Sequence, residues 1–182
     1  LPWHRAYLAQ FEDIIRHISG NPEWALPYWD WTRNPQIPAA FWVDGSVLNH
    51  PRRAGTNTNM PNEFVGLPVI ERIMRKQTFE DFASYKSSAP APGNGGGSAE
   101  LEGSPHNNVH VTIGRDMVTF MSPLDPIFWL HHCNIDRIWA SWNAAGNPNS
   151  SDPDLADFIF SPDQPDNNGN VNGSQFVNPD ST

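Results

Sequence analysis

The sequence has 182 residues, enough for one domain of ordinary size with a hydrophobic core. Its 20 acidic and 11 basic side chains give a net charge of −9, which argues against nucleic acid or an anionic membrane as a partner. No apolar run reaches the roughly 18 residues that a membrane-spanning helix needs. The single cysteine, Cys133, rules out an internal disulfide.

The first predicted element is an amphipathic helix over residues 3–19. Its apolar side chains recur at spacings of three and four: Tyr7, Leu8, Phe11, Ile14, Ile15 and Ile18. Gly20 suits the position after a helix, and Pro22 prevents continuation. His4 shares the broad apolar face, so we expect its imidazole to point inward. Because the chain opens directly in this helix, without Met or a signal peptide, we expect a fragment that lacks upstream sequence.

Little regular structure is predicted in the next third of the chain. The aromatic, proline-flanked stretch WALPYWDWTRNP (24–35) predicts extended or irregular backbone, and residues 36–62 predict a long loop. One or two short helices are expected within 63–85, in EFVGLPVIERIMRK and TFEDFASY. The Pro-, Gly- and Ser-rich stretch 86–100 predicts a flexible linker or surface loop.

Two further helices are predicted in the second half. SPHNNVHVTIG (104–114) has Ser104 as N-cap, Pro105 as first residue and Gly114 as stop. SPLDPIFWLHHCNIDRIWASWN (122–143) is the strongest, with Asp125 as cap, Pro126 as first residue and an apolar stripe at helical spacing: Phe128, His132, Ile135, Trp139 and Trp142. Residues 146–182 predict a polar irregular segment with one apolar island, LADFIF (155–160).

Histidines are the candidate functional residues. His106 and His110 are four residues apart on one predicted helix, so both imidazoles leave the same face, as a metal held about 2 Å from each would need. A surface pair or a hydrogen-bonded core pair would show the same spacing. His132 lies on the buried stripe, where a neutral imidazole needs partners for both nitrogens; a metal and a hydrogen-bond acceptor would supply them.

The neighbours of His132 leave two alternatives open. Asp136 lies one turn later and is either such an acceptor or a solvent-facing residue. His131 points about 100° away around the helix, so we do not expect both to bind one ion; His131 either lines the pocket or is a packed histidine. With His4 as a fourth inward imidazole, the residues predict a histidine metal site with an open position. All-nitrogen ligation suits Cu, Zn, Ni or Fe.

Four stretches in order resemble the type-3 copper proteins, which comprise tyrosinases, catechol oxidases and haemocyanins: LPWHRAYLAQFE (1–12), LPYWDW (26–31), LEGSPHNNVHVTIG (101–114) and SPLDPIFWLHHCNIDRIW (122–139). The resemblance implies a mainly α fold with long irregular loops, whose four-helix-bundle core holds a dinuclear copper site. It places the copper-binding domain at 1–145 and leaves 146–182 as a polar irregular C-terminal segment.

The resemblance also implies a role for each histidine. His106, His110 and His132 correspond to the three ligands of the second copper, CuB, and His4 to the third ligand of the first copper, CuA. The other two CuA ligands would precede Leu1, so this chain would supply one full site and one ligand of the other. His17 and His50 lie outside the ligand positions, and we expect them to be surface or structural residues.

Glu102 and Asn107 are the catalytic candidates that the resemblance implies. In the family, a Glu before the first CuB histidine and an Asn after it hold a water. Such a water could take the proton of a phenol, whose unperturbed pKa is about 10. The alternatives are an acid favoured by a helix N-terminus and an ordinary surface amide. We also expect Thr119, Phe120 and Met121 to shape the pocket mouth, and Arg5 to pair with Asp30.

The implied activity is oxidation of o-diphenols to o-quinones by molecular oxygen, with hydroxylation of monophenols as an additional activity. The partners would be O₂ and a small phenolic substrate. Two alternatives stay open: a haemocyanin-like reversible O₂ carrier and an incomplete inactive fragment. A carrier normally covers its site with a further domain, and residues 146–182 are too few to form one.

Overall fold

The computed structural model describes residues 1–84 and 99–151. These residues form α-helices and shorter helical turns without a strand, apart from an isolated bridge between Gln36 and Asn59. The α-helices are α1 (Pro2–Ser19), α2 (Asn62–Val65), α3 (Leu67–Met74), α4 (Phe79–Phe82), α5 (Asn108–Ile113) and α6 (Ile127–Ala144). The predicted mainly α fold is therefore confirmed. None of the helices within this part of the chain is long and apolar enough to span a bilayer.

Helices α1 and α6 are the longest and pack against each other. The ring of Phe11 stacks on that of Trp129, with centroids 3.7 Å apart, and Tyr7 approaches the same indole at 4.8 Å. Helix α1 ends at Gly20, whose φ of 66° is left-handed, as the sequence predicts. This packing brings the first turn of α1, which carries His4, against the middle of α6.

Helix α6 begins at Ile127 with Pro126 as its N-cap, one residue later than the predicted start at Pro126. The Asp125 carboxylate accepts a hydrogen bond from the Ile127 N–H at 3.1 Å and so satisfies the first amide of the helix. Every residue of the predicted stripe is at most 4% exposed. At the far end, Trp142 stacks on Phe82 with centroids 4.4 Å apart and donates to the Lys76 carbonyl. These contacts fix α3 and α4 against α6.

The helix predicted at 104–114 begins earlier than expected, so the prediction of Ser104 as N-cap is wrong. Residues 100 and 101 are already helical, and a π-helical turn, Glu102–Asn107, continues directly into α5. Pro105 lies inside this turn; its ring has no N–H and needs the wider backbone. The Asn108 side-chain amide donates to the carbonyls of Gly103 and Ser104, which compensates for the interrupted helical bonds.

Residues 62–82 form three short helices, where one or two were predicted. Gly66 separates α2 from α3, and a side chain there would collide with Asn62. The linker predicted at 86–100 falls almost entirely outside the described residues, and the apolar island at 155–160 falls wholly outside them.

The stretch at 24–35 is irregular, as predicted, and it packs on α6. The Trp29 N–H donates to the Leu130 carbonyl at 3.1 Å. The predicted pairing of Arg5 with Asp30 is wrong. Arg5 instead bonds Asp136 at 2.5 Å, with its guanidinium 3.4 Å above the Trp139 ring. Asp136 thus faces α1 and not a histidine.

Candidate metal centre

Five imidazoles meet in the interior: His4 from α1, His106 from the π-helical turn, His110 from α5, and His131 and His132 from α6. Their nitrogens form two overlapping groups, each within 4.8 Å. One contains His4, His106 and His132, and the other contains His106, His110 and His131. The structure therefore brings together the four histidines singled out in the sequence, and a fifth, His131, for which lining the pocket was one of two predictions.

Three of these rings turn the same nitrogen toward one point. The Nε2 atom of His132 lies 3.0 Å from Nε2 of His106 and 3.4 Å from Nε2 of His110. A tetrahedral ion bound at about 2 Å would separate its nitrogen ligands by about 3.3 Å. Both separations from His132 are close to this value, and we call His106, His110 and His132 the triad.

Hydrogen bonds at the opposite nitrogen fix the tautomers of these rings. Nδ1 of His110 lies 2.5 Å from the Met117 carbonyl oxygen, and Nδ1 of His132 lies 2.8 Å from that of Phe128. A carbonyl oxygen can only accept, so each Nδ1 carries the proton. Nδ1 of His106 donates in the same way to the Asn107 side-chain oxygen at 2.9 Å. A neutral imidazole has one N–H, so all three Nε2 atoms present lone pairs.

Three lone pairs at hydrogen-bond distance, with no proton between them, repel one another unless a cation lies among them. The donor set is all imidazole nitrogen, which suits copper or zinc. Each ring also donates its other N–H to an oxygen, the arrangement that orients metal-binding histidines. The residues of this site therefore fit a metal ion.

His131 has the opposite tautomer. The Trp31 indole N–H lies 3.2 Å from its Nδ1, and an indole can only donate. Nδ1 must therefore accept, and the proton is on Nε2. Both residues are fully buried. The only lone pair of the neutral ring, on Nδ1, therefore accepts from Trp31 and is not available to a metal. His131 lies close to the triad but differs from it in this respect.

His4 lies beside the triad. Its ring stacks on that of His132, with centroids 4.3 Å apart at an angle of 25°. Its Nδ1 is buried and has no hydrogen-bond partner among the described residues. A buried unsatisfied nitrogen is costly, so a partner for this ring is expected. Nitrogens of His4, His106 and His132 lie within 4.8 Å of one another, so His4 is placed to bind a metal ion.

The interior lowers the pKa of every histidine in the group. Burial lowers the pKa of His4 to about 3 and those of His106, His131 and His132 well below the usual 6.5. Burial also lowers the pKa of His110. Neighbouring imidazoles add repulsion, which disfavours the charged form of His4 and His106 further. The imidazoles are therefore neutral near pH 7, the state that binds metals.

The other predicted residues lie around this centre. Glu102 is half-buried at the start of the π-helical turn, and Asn107 ends that turn. His50 bonds Asp116 at 2.8 Å, and His17 is exposed on α1. Phe120 is 92% exposed and Met121 49% exposed, just after the turn that holds the Met117 carbonyl.

The fold and the site together define a class of protein: a mainly helical domain with a buried cluster of histidines that could bind a metal. Comparison with known proteins identifies the family. Residues 1–69 and 48–145 match the family model for the common central domain of tyrosinase. The chain belongs to the tyrosinase family, whose members are type-3 copper oxidases.

Relatives in bacteria and plants resemble the chain at similar levels. A tyrosinase of Streptomyces glaucescens is 32% identical over 87% of this chain and 69% of its own length. Tyrosinase HcTyr1 of Hahella sp. (strain CCB-MM4) is 34% identical over 88% and 40%. Chloroplastic catechol oxidase B of Solanum tuberosum is 31% identical over 80% and 30%. The chain thus spans less than half of the latter two proteins.

Proposed function

We propose that His106, His110 and His132 bind the second copper, CuB, of a type-3 pair, and that His4 supplies one ligand of the first, CuA. The observation that carries this proposal is the convergence of three Nε2 lone pairs whose rings are each held at Nδ1 by an oxygen. We also propose residues 1–145 as the copper-binding domain, with residues 146–182 outside it as a polar irregular segment.

The proposed reaction is oxidation of o-diphenols to o-quinones by molecular oxygen, with hydroxylation of monophenols as a second activity. Two diphenol molecules each lose two electrons and two protons, and one O₂ becomes two waters. The copper pair, when bound, carries the electrons from phenol to O₂. Relatives named tyrosinase and catechol oxidase support this reaction class.

The chain's own residues would manage the proton of the phenol. We propose that Glu102 and Asn107 hold a water that removes it. The Asn107 side-chain oxygen accepts from His106, so its amide NH₂ would be the group that donates to the water. The Glu102 carboxylate, at the other end of the π-helical turn, would then polarise that water as a base.

The experiment replaces His106, His110 and His132 one at a time by Ala in the full-length protein that carries this chain. Each variant should lose bound copper and quinone formation from catechol. His17→Ala, an exposed residue on α1, is the matched control and should keep both. A variant that retains copper and turnover would remove that histidine from the ligand set.

Three measurements on the same full-length protein distinguish an oxidase from an O₂ carrier and from an inactive fragment. Copper content is measured by elemental analysis, O₂ consumption with an electrode, and quinone by absorbance with catechol or tyrosine. Reversible O₂ binding without quinone would indicate a carrier. Failure to retain copper would indicate an inactive fragment. Quinone from catechol but not from tyrosine would restrict the activity to diphenols.

A further inference from the structure

Four residues of the loop segment His50–Ala54 contact three different parts of the chain around the histidine cluster. The backbone N–H groups of Arg53 and Ala54 donate to the Ile113 carbonyl at 2.9 and 3.1 Å. His50 bonds Asp116, and Arg52 bonds Asp125. We call residues 50–54 the brace. Its contacts join the end of α5, the following turn Arg115–Val118 and the start of α6.

The strongest contact of the brace is a buried ion pair. The side chains of Arg52 and Asp125 are 0% and 1% exposed, and two hydrogen bonds of 2.8 and 2.5 Å join them. The guanidinium also donates to the carbonyls of Phe41 and Leu48. An ion pair buried this completely has one well-defined geometry, because leaving either charge unpaired is costly.

The ion pair fixes the first turn of α6. Oδ1 of Asp125 accepts from Arg52 and from the Ile127 N–H, so the guanidinium orients the carboxylate that binds the first amide of the helix. The next residue, Phe128, offers the carbonyl that receives the Nδ1 proton of His132 at 2.8 Å. Arg52 therefore acts on His132 through Asp125 and one helical turn.

The other end of the brace holds the partner of His110. After α5 the backbone passes through two consecutive residues with positive φ, Gly114 at 71° and Arg115 at 54°. A left-handed conformation is unfavourable for arginine, so contacts with neighbouring residues must maintain it. We call Gly114 and Arg115 the corner. The bond between His50 and Asp116 and the two bonds to the Ile113 carbonyl lie on either side of it. The corner in turn places the Met117 carbonyl against Nδ1 of His110.

We propose that the brace is a positioning element that sets the tautomers of His110 and His132 through the carbonyls of Met117 and Phe128. The proposal rests on the proposed function for the identity of the metal, but the tautomers are a property of the metal-free chain. Both carbonyls lie on segments that the brace contacts directly, and both hold Nδ1–H so that Nε2 faces the triad.

The test measures tautomers in the metal-free chain by long-range ¹H–¹⁵N NMR of the histidine rings. The wild-type chain should show His110 and His132 as Nδ1–H forms. His50→Ala should give His110 a mixture of both tautomers and leave His132 unchanged. Arg52→Met should do the reverse, and Arg52→Lys, which keeps the charge but loses the paired geometry, should fall between Arg52→Met and the wild type.

Two further variants keep the test decisive. Arg52→Met leaves the buried carboxylate unpaired and can prevent folding, so Arg52→Met combined with Asp125→Asn removes both charges together. Arg16→Met is the matched control, because Arg16 also bonds a carboxylate and a carbonyl, those of Glu12 and Trp24, away from the histidines. It should leave all tautomers unchanged.

A purely structural brace would lower the free energy of unfolding without changing any tautomer in the folded chain, and that result would overturn the proposal. A wild-type chain with Nε2–H at His110 or His132 would overturn it too. As a second measurement, Zn²⁺ affinity of folded brace variants should fall about 10-fold or more. If the wild type oxidises no phenol, the proposed function fails while the tautomer comparison still tests the brace.

Discussion

His131 and His132 are neighbours in sequence, but one hydrogen bond at each ring gives them opposite tautomers. An indole N–H gives the first ring a proton on Nε2, and a carbonyl gives the second a proton on Nδ1. Only the second has its Nε2 lone pair facing the triad. In this centre the partner of the outer nitrogen therefore distinguishes a candidate ligand from a packed histidine, more than distance does.

At Glu102, substitution by Gln removes the proposed base and keeps the shape of the side chain. We expect kcat/KM for a monophenol to fall about 100-fold, a typical contribution of a general base. The value for a diphenol should fall less than tenfold, because its more acidic hydroxyl depends less on the base. Steady-state kinetics with tyrosine and catechol measure both.

The control for this prediction is Glu63→Gln, an exposed acid in the first turn of α2. It should leave both substrates unaffected. Equal losses for tyrosine and catechol in Glu102→Gln would contradict the water-holding role and favour the reading of Glu102 as an acid at a helix N-terminus.

The buried histidines make the stability of the metal-free chain depend on pH. Their folded-state pKa values lie below 6.5, with that of His4 at about 3. As the pH falls below 6.5, the unfolded chain therefore binds protons that the folded chain does not. The free energy of unfolding should decrease by up to about 1.4 kcal/mol per pH unit for each such histidine. Urea unfolding between pH 7 and pH 5 tests this.

His4→Asn should reduce that slope by about one proton. A stability that does not change between pH 7 and pH 5 would mean that the folded centre accepts protons, contrary to its burial.

Among the elements, the corner after α5 requires a glycine at position 114. Gly114 has φ 71° and ψ −163°, and an added Cβ would lie 2.8 Å from Cβ of Arg53. Gly114→Ala should therefore lower the free energy of unfolding by about 3 kcal/mol, from backbone strain and overpacking together. Chemical unfolding of the metal-free chain measures this loss.

Gly20→Ala is the matched control. Gly20 has a similar φ of 66°, but an added Cβ would meet nothing within 4 Å. Its replacement should lower the free energy of unfolding through backbone strain alone, by about 1 kcal/mol. Equal losses at both positions would show that Arg53 moves aside and that the corner is not tightly packed.

Elements with a strong local signal were predictable, and those that depend on distant contacts were not. Helices α1 and α6 followed from apolar spacing, and each begins within one residue of its predicted start. The π-helical turn was missed, because Ser104-Pro105 resembles a helix start when the preceding turn is unknown. The division at Gly66 was also missed, because a glycine inside an apolar pattern does not by itself end a helix.

The centre shows the same limit. His4, His106, His110 and His132 were found from spacing and resemblance, and the structure brings them together. The groups that orient them were not found. The partner of His131 is Trp31, 100 residues away, and backbone carbonyls carry no residue-type signal. Their ligand and catalytic roles remain predictions until the variants are measured.

At the scale of the whole molecule, the centre connects segments that are far apart in the chain. His4 lies in the first turn of α1, His106 and His110 follow in the second half, and His132 is in α6. An unfolded chain does not hold these imidazoles together. A metal that binds them should therefore stabilise the fold by mass action, in addition to any catalytic role.

Metal addition should raise the midpoint of thermal unfolding. At a free Zn²⁺ concentration 100 times the Kd, the expected stabilisation is about 2.7 kcal/mol, which corresponds to about 5–10 °C for a chain of this size. His132→Ala removes the imidazole whose Nε2 approaches both other members of the triad, so most of this increase should disappear. His17→Ala should retain it, because His17 is exposed on α1. Calorimetry with and without a chelator measures the increase, and an equal increase in His132→Ala and wild type would place the metal elsewhere.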